Sequence, residues 1–536
     1  MVRENQPYPM DLYQPAVKSF LCAALIFVII FLFYNHHQKV GFIYDDQPII
    51  VEHPAFRTID DVVRIFGERH YPNLPYYRPL VRFTLLLQKT LHGDNAGLFY
   101  LVNVILMGMT GVALFLLFSS APFRFPLLLS SGLALLISLH PAASSCVYPI
   151  SSGRETLLPA FFIICALIAY GRDGLIWFVA AVLFFTCALF SKESSVVLVF
   201  VFMAVDYFRK RFGRKSRRYV LGRYAVFVPV YAGYFLMRYR LFAGSEFEWR
   251  ESLKYPVMSI LYTFQTTLFP FVELKYEPGS MTWFSPLRTG GVVLIILLMS
   301  ALSLAVFRDV RRWLAMLGAM FILFVLPTSN LVLQETMFDE RYVFLPLVPF
   351  CAYSAILARR YCGNLIWRQW GAALAMTSVI LVFAWISMGR GGYFTDREAF
   401  FLQWVKTAPN RSSALNGYAN LLQRRGAYDQ AERVYQRAIA LDPDFEVLYY
   451  NLGLLYLKEE NFERAAQRFR RTLALNPRFE KAWYHLGVAY ELMGIHTRAA
   501  DCYRRELSLY PENRNARLNL DRLYHGKALS PLEKND

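Results

Sequence analysis

The sequence predicts an all-α protein in two parts: a polytopic membrane bundle of about eleven spans, then a helical solenoid outside the membrane. Three observations predict it. The 536-residue chain is 56% hydrophobic and 16% aromatic, and its apolar runs repeatedly reach the length that crosses a bilayer. Its basic residues, which give a formal charge of +17, cluster in short loops between those runs. Near the C-terminus four prolines, Pro409, Pro443, Pro477 and Pro511, follow one another at 34-residue steps.

The first apolar run, from about Ala16 to Tyr34, is long for a signal-peptide core and lacks an A-x-A cleavage site, so it reads as an uncleaved first span. Further spans are expected near 97–118, 124–140, 156–171, 174–190, 194–208, 220–240, 288–306, 313–328, 343–358 and 370–389. The segment Pro256–Val272 is apolar but would break the alternation, so it reads as a helix lying on the outer face. Arg209–Arg218 carries the densest positive charge and belongs in the cytoplasm. By alternation Arg124, Arg308, Arg311, Arg312, Arg359, Arg360 and Arg368 fall on that same side. The N-terminus is then cytoplasmic, and the solenoid is periplasmic or lumenal; the short C-terminal array and the sparse cysteines point to a bacterial inner membrane. Because the basic residues follow topology, the charge does not argue for nucleic acid. Seven scattered cysteines make no CxxC spacing, which argues against a disulfide framework or a cysteine metal site. The expected divisions are a membrane domain over 1–390 with a long first outer loop at 35–96, a linker at 391–411, the solenoid at 412–525 and a tail at 526–536.

Within the solenoid Ala431, Ala465 and Ala499 keep the 34-residue step, as do Gly453 and Gly487. That period is the signature of tetratricopeptide repeats, two helices each, closed near a proline that cannot continue the helix. Three repeats fit 412–445, 446–479 and 480–513, with the start of a capping helix after Pro511. Aromatic and small positions such as Tyr435, Phe469 and Tyr503 are core.

Under this topology the polar residues converge on the outer face. The first outer loop contains Asp45 and Asp46, then a capped helix from Thr58, then Tyr77 and Arg78. The second holds His140-Pro141 and Gly153-Arg154-Glu155, the third Lys192-Glu193, and the last before the repeats Glu340-Arg341-Tyr342. Charge at membrane depth is costly and marks substrate or ion paths. Two acids with several cations suit a phosphate-bearing substrate and a base that deprotonates a hydroxyl. Each group alone has a plainer reading. Asp45 and Asp46 could cap a helix, Arg78, Arg154 and Lys192 could snorkel to headgroups, His140 could be structural, and Glu340 and Arg341 could pair. Their convergence from five distant segments favours a site.

The set Tyr44-Asp45-Asp46, Tyr77-Arg78-Pro79-Leu80, Asn103, His140-Pro141, Gly153-Arg154, Ser191-Lys192-Glu193 and Glu340-Arg341-Tyr342, with the repeats behind it, resembles the TMTC-type protein O-mannosyltransferases and, more broadly, the GT-C class of membrane glycosyltransferases. The resemblance implies a GT-C-like bundle and a hexose, mannose or another, carried on a polyprenyl phosphate. It also implies inverting transfer to a Ser/Thr hydroxyl of an exported protein at the outer face. Asp45 or Asp46 is the candidate base. Arg78, Arg154, Lys192 and Arg341 are candidates for the donor phosphate, with Arg78 alternatively holding the first loop closed. Tyr77, His140, Glu155, Glu193, Glu340 and Tyr342 are candidate supporting residues. No cofactor is predicted; a divalent metal beside two aspartates lacks a third acidic ligand. The array is expected to hold the acceptor or another protein. Competing readings are a membrane scaffold for envelope assembly and an O-antigen polymerase- or ligase-like enzyme.

Overall fold

The computed structural model describes residues 14–35, 41–43, 46–51, 58–68, 70, 76–121, 123–208, 222–242, 262–264, 266–268, 311–328, 340–362, 366–394 and 397–524. They are helical, with no strand among them, and fall into two compact units that divide at Asp396–Arg397. Asp45, the basic loop at 209–218, the span expected at 288–306 and the tail at 526–536 lie outside the described residues.

The first unit starts with α1 (Gln14–Tyr34), a short α2 (Ile59–Ile65), α3 (Pro79–His92) and α4 (Ala96–Ser119). α2 carries the expected cap. Thr58 accepts the Asp61 N–H, and the Asp61 side chain returns to the Thr58 N–H at 3.0 Å. α1 packs on α4 because α4 has glycine where α1 presses: a Cβ at Gly108 would meet the Phe27 ring at 2.8 Å, and one at Gly111 would run into Ile30.

The span expected at 124–140 is instead a bent pair, α5 (Leu127–Ser138) and α6 (Pro141–Val147), meeting at 62°. Pro141 has no N–H to continue α5, and the His140 ring caps α6 by accepting the Ala142 N–H at 3.1 Å. The break frees carbonyls in an apolar setting, where each needs a donor. Tyr34 Oη donates to Ser138 O at 2.8 Å and Ser387 Oγ to Leu139 O at 3.0 Å; Arg390 Nη1 adds a bond to Pro141 O, in the first turn of α6, at 3.1 Å.

Next come α7 (Ser151–Tyr170), α8 (Leu175–Ser191), a 3-10 turn at Glu193–Val197, and α9 (Leu198–Phe208). α10 (Phe227–Phe242), α11 (Arg311–Val325), a 3-10 turn at Glu340–Val343, α12 (Phe344–Cys362) and α13 (Ile366–Gly391) complete the unit. Gly153 sits where a Cβ would meet Cys146 O at 2.5 Å, so glycine sets the approach of α6 to α7. Among the described residues five helices are long and apolar enough to cross a membrane, or six with the bent pair counted as one; Leu175–Ser191 and Arg312–Val325 are apolar but shorter. The segment read as lying on the outer face is described only at 262–264 and 266–268, where Tyr262, Thr263, Thr266 and Thr267 are buried against the bundle.

The second unit holds α14 (Arg397–Thr407), then the pairs α15 (Ser412–Arg424)/α16 (Tyr428–Leu441), α17 (Glu446–Lys458)/α18 (Phe462–Leu475) and α19 (Ala482–Leu492)/α20 (His496–Leu509), and α21 (Arg514–Tyr524). The helix pairs fall where the 34-residue period puts them. The stretch 391–411, expected as a linker, contains α14. Its Phe401 sits one 34-residue step before Tyr435, Phe469 and Tyr503, and it fills the space over Gly417. α14 is therefore the second helix of a partial repeat, which explains why the proline series begins at Pro409.

Gly453 and Gly487 let the paired helices close: a Cβ would meet Phe469 at 2.7 Å and Tyr503 at 2.6 Å respectively. Gly453→Ala is expected to cost about 1–3 kcal/mol through overpacking of a buried ring. Hydrogen exchange should show reduced protection confined to α17 and α18 and their neighbours.

Candidate active site

Asp46 is 2% exposed and engaged on both oxygens. Oδ1 accepts the Ser151 N–H at 2.8 Å and Oδ2 accepts the Ile43 N–H at 2.9 Å. It thereby fixes the loop after α1 to the first turn of α7, where a carboxylate also complements the helix dipole. Burial, aided by the charge of Glu155, lifts its carboxyl to about 6, against the lowering effect of the Ser151 and Ile43 hydrogen bonds.

Arg78 reaches two carboxylates. Pro79 opens α3, which leaves Arg78 just before the helix. Nε donates to Glu193 Oε2 at 3.0 Å and Nη2 to Glu193 Oε1, while Nη1 donates to Glu155 Oε2. The guanidinium carbon also lies 4.4 Å from the Tyr76 ring centroid. The other Glu155 oxygen bonds His70 Nε2 at 2.8 Å. With Glu155 ionised beside Arg78, Nε2 carries the proton. Burial keeps His70 below the usual histidine range despite that carboxylate. Burial pushes Glu193 up, but the Arg78 ion pair outweighs it and holds the carboxyl low. Tyr77, beside Arg78, donates to Phe66 O at 2.8 Å and packs on the Phe190 and Tyr234 rings.

Lys192 follows α8 in extended backbone, with Nζ 3.4 Å from Thr156 Oγ1 and 5.2 Å from the Tyr342 ring centroid. Burial first, then Arg78 and Arg341, lower its ammonium to about 8; Glu155 and Glu193 oppose them. Arg78, Glu155 and Glu193 are thus joined by ion pairs, Lys192 adjoins Glu193 in sequence and reaches Thr156, and Asp46 bonds the first turn of the helix that carries Glu155.

Three candidates have other partners. Arg154 is fully enclosed. Its Nε donates to Asn103 Oδ1 at 2.6 Å, and its Nη2 to Gln88 Oε1 and Phe99 O, each at 3.1 Å. Asn103 Nδ2 in turn reaches Pro149 O at 3.1 Å and Ile150 O at 3.0 Å, so this network ties α3 and α4 to the start of α7. His140 sits at the α5–α6 bend, with Nε2 toward Thr267 O at 3.4 Å and Phe383 edge-on at 4.7 Å. Glu340 pairs with Arg390, and takes a 3.0 Å bond from Ser145 Oγ. Sequence reasoning did not single out His70, Gln88 or Arg390. A lone histidine, a helical glutamine and an arginine at a span end carry no pattern. Among the described residues no group of three or more His, Cys, Asp or Glu gathers as for a metal.

Comparison with known proteins agrees with this architecture. Tetratricopeptide-repeat family profiles match residues 450–514 and 419–459. The human protein O-mannosyl-transferase TMTC1 is 23% identical over 81% of this chain and 56% of its own length. The Caenorhabditis elegans protein O-mannosyl-transferase F38B6.6 is 22% identical over 76% of this chain and 60% of its own. The chain is related to the TMTC-type family. It spans little more than half the length of these curated relatives. Among solved structures, the Arabidopsis OM64 TPR domain is 24% identical and covers 22% of this chain and 95% of its own, with a TM-score of 0.21.

Proposed function

We propose that the chain is an integral-membrane glycosyltransferase that moves a hexose from a polyprenyl-phosphate donor to a hydroxyl of an exported protein. The reading rests on one observation above others: the buried carboxyl of Asp46 bonds the Ser151 N–H at the start of α7, and Glu155, one turn on, pairs with Arg78, which also pairs with Glu193 beside Lys192. The names of the two relatives, both protein O-mannosyl-transferases, supply the reaction class.

In this mechanism Asp46 takes the proton of the acceptor hydroxyl as its oxygen attacks the anomeric carbon. The bond from that carbon to the donor phosphate breaks, with inversion, and the phosphate departs with the electron pair. Arg341 and Lys192 meet its developing charge. Arg78 holds the first loop closed over the site through Glu155 and Glu193. Arg154 is assigned to the wall, because its hydrogen bonds go to neutral groups of the bundle. Asp45 remains the alternative base beside Asp46. The site faces the periplasm or lumen, and the repeats hold the acceptor near it.

The test is a transfer assay in membranes with labelled polyprenyl-phosphate mannose, following label into protein. Label is expected with the wild-type chain and not with Arg341→Gln. Absence of label with mannose and with other polyprenyl-linked hexoses alike would sink the reading and leave the scaffold, whose prediction is that Asp45, Asp46 and Arg341 are dispensable.

A further inference from the structure

We infer that Arg390, at the end of α13, is a positioning residue for Arg341, acting through the carboxylate of Glu340. The inference rests on the reading of Arg341 as a ligand of the donor phosphate. Arg341 stands in the 3-10 turn Glu340–Val343, too short to fix its own orientation. That turn is held by what its first residue grips. Glu340 Oε2 accepts from Arg390 Nη1 and from Ser145 Oγ at 3.0 Å. The same Arg390 nitrogen donates to Pro141 O at 3.1 Å, in the first turn of α6. One guanidinium thus joins the Arg341 turn, the α5–α6 bend and the last membrane helix. Glu340 and Arg390 side chains are only 17% and 13% exposed, so the pair is little screened.

The surroundings explain why such an anchor is needed. Arg78 and Arg341 both bear on Lys192, so like charges gather here. Glu155 and Glu193 offset them, but Arg78 already engages both carboxylates. A cation held among cations needs its backbone fixed from behind. Glu340 turns away from its neighbour Arg341 to do this, so the adjacent Glu-Arg pair of the sequence is two residues with separate tasks. α13 is otherwise largely exposed, with Trp385, Leu374 and Leu381 on its surface. Its fastenings concentrate at this end, where Ser387 bonds Leu139 O and Arg390 bonds Glu340.

The experiment measures binding of a sugar-free decaprenyl phosphate to the purified full chain in nanodiscs. Arg390→Gln is expected to weaken binding about tenfold, the worth of one hydrogen bond to a charged group. Arg390→Lys should recover most of it. Arg341→Gln combined with Arg390→Gln should bind no worse than Arg341→Gln alone, because both remove one contribution. Ser145→Ala, which leaves every charge in place, should weaken binding in the same coupled way and serves if Arg390→Gln fails to fold. Unchanged binding in Arg390→Gln and Ser145→Ala, or losses that add to that of Arg341→Gln, would overturn the positioning role. Failure of the wild-type chain to bind would overturn the phosphate site itself, and the role with it.

Discussion

Asp46→Asn will lower kcat for sugar transfer by about 10²–10⁴-fold, the range a positioned general base supplies. The substitution is not silent structurally. Asp46 accepts one backbone N–H on each oxygen, from Ser151 and Ile43. An asparagine can keep one of these and must turn its own N–H₂ toward the other, at a cost of about 1–3 kcal/mol. Loss of activity alone would therefore not separate a base from an anchor. The pH profile does. A carboxyl lifted to about 6 must be ionised to accept a proton, so wild-type kcat should fall as pH drops through about 6. The asparagine variant should show a low rate without that limb. At the other end, an ammonium lowered to about 8 loses its charge as pH rises through about 8, so the donor KM should climb there. Lys192→Arg, which stays protonated, should remove that alkaline rise. A wild-type acid limb that persists in Asp46→Asn would give the proton to another group, with Asp45 first in line.

Much of this was legible in the sequence, for identifiable reasons. A 34-residue period survives in residue identity because each repeat packs only on its neighbours, so the same alanines, glycines and aromatics recur. The signal that was present but passed over is Phe401, on the same step as Tyr435, Phe469 and Tyr503; without its small-residue partners it did not stand out from the membrane helix before it. Among the described residues apolar length located helices, but neither their continuity nor a count of eleven spans: five are long enough to cross a membrane, or six with the bent pair. Nothing in hydropathy marks the 62° bend between α5 and α6; His140-Pro141 does, once the missing N–H is taken as a break rather than a span edge. The pairings of the charged residues were not legible. Glu340 and Arg341 are adjacent in sequence, yet Glu340 bonds Arg390, fifty residues on. Arg154 and Glu155 are also adjacent, yet the first joins Asn103 and Gln88 while the second joins His70 and Arg78. On a helix neighbours point about 100° apart, so adjacency in sequence says little about shared chemistry.

Arg78→Ala should be the most destabilising single change in the membrane unit, by about 3–5 kcal/mol. Arg78, Glu155 and Glu193 are 6%, 6% and 18% exposed, and one guanidinium bridges both carboxylates. Removing it leaves two enclosed negative charges without their ion-pair partner, only partly offset by Lys192 and Arg341 nearby. Arg78→Lys keeps the charge but cannot fork to two carboxylates, so a smaller loss is expected. The informative comparison is Arg78→Ala combined with Glu155→Gln and Glu193→Gln. If the loss in Arg78→Ala comes from stranded charge, neutralising all three should restore most of the thermal stability. If it comes from packing of the arginine stem, the triple variant should be no better than the single. Detergent-solubilised membrane proteins unfold irreversibly, so the comparison belongs at one fixed scan rate. A loss in Arg78→Ala no larger than an exposed pair gives, about 0–1 kcal/mol, would mean that water reaches the cluster. Arg78 would then not hold the first loop closed, and the charge cluster would lose the dry setting that lifts Asp46 and lowers Lys192.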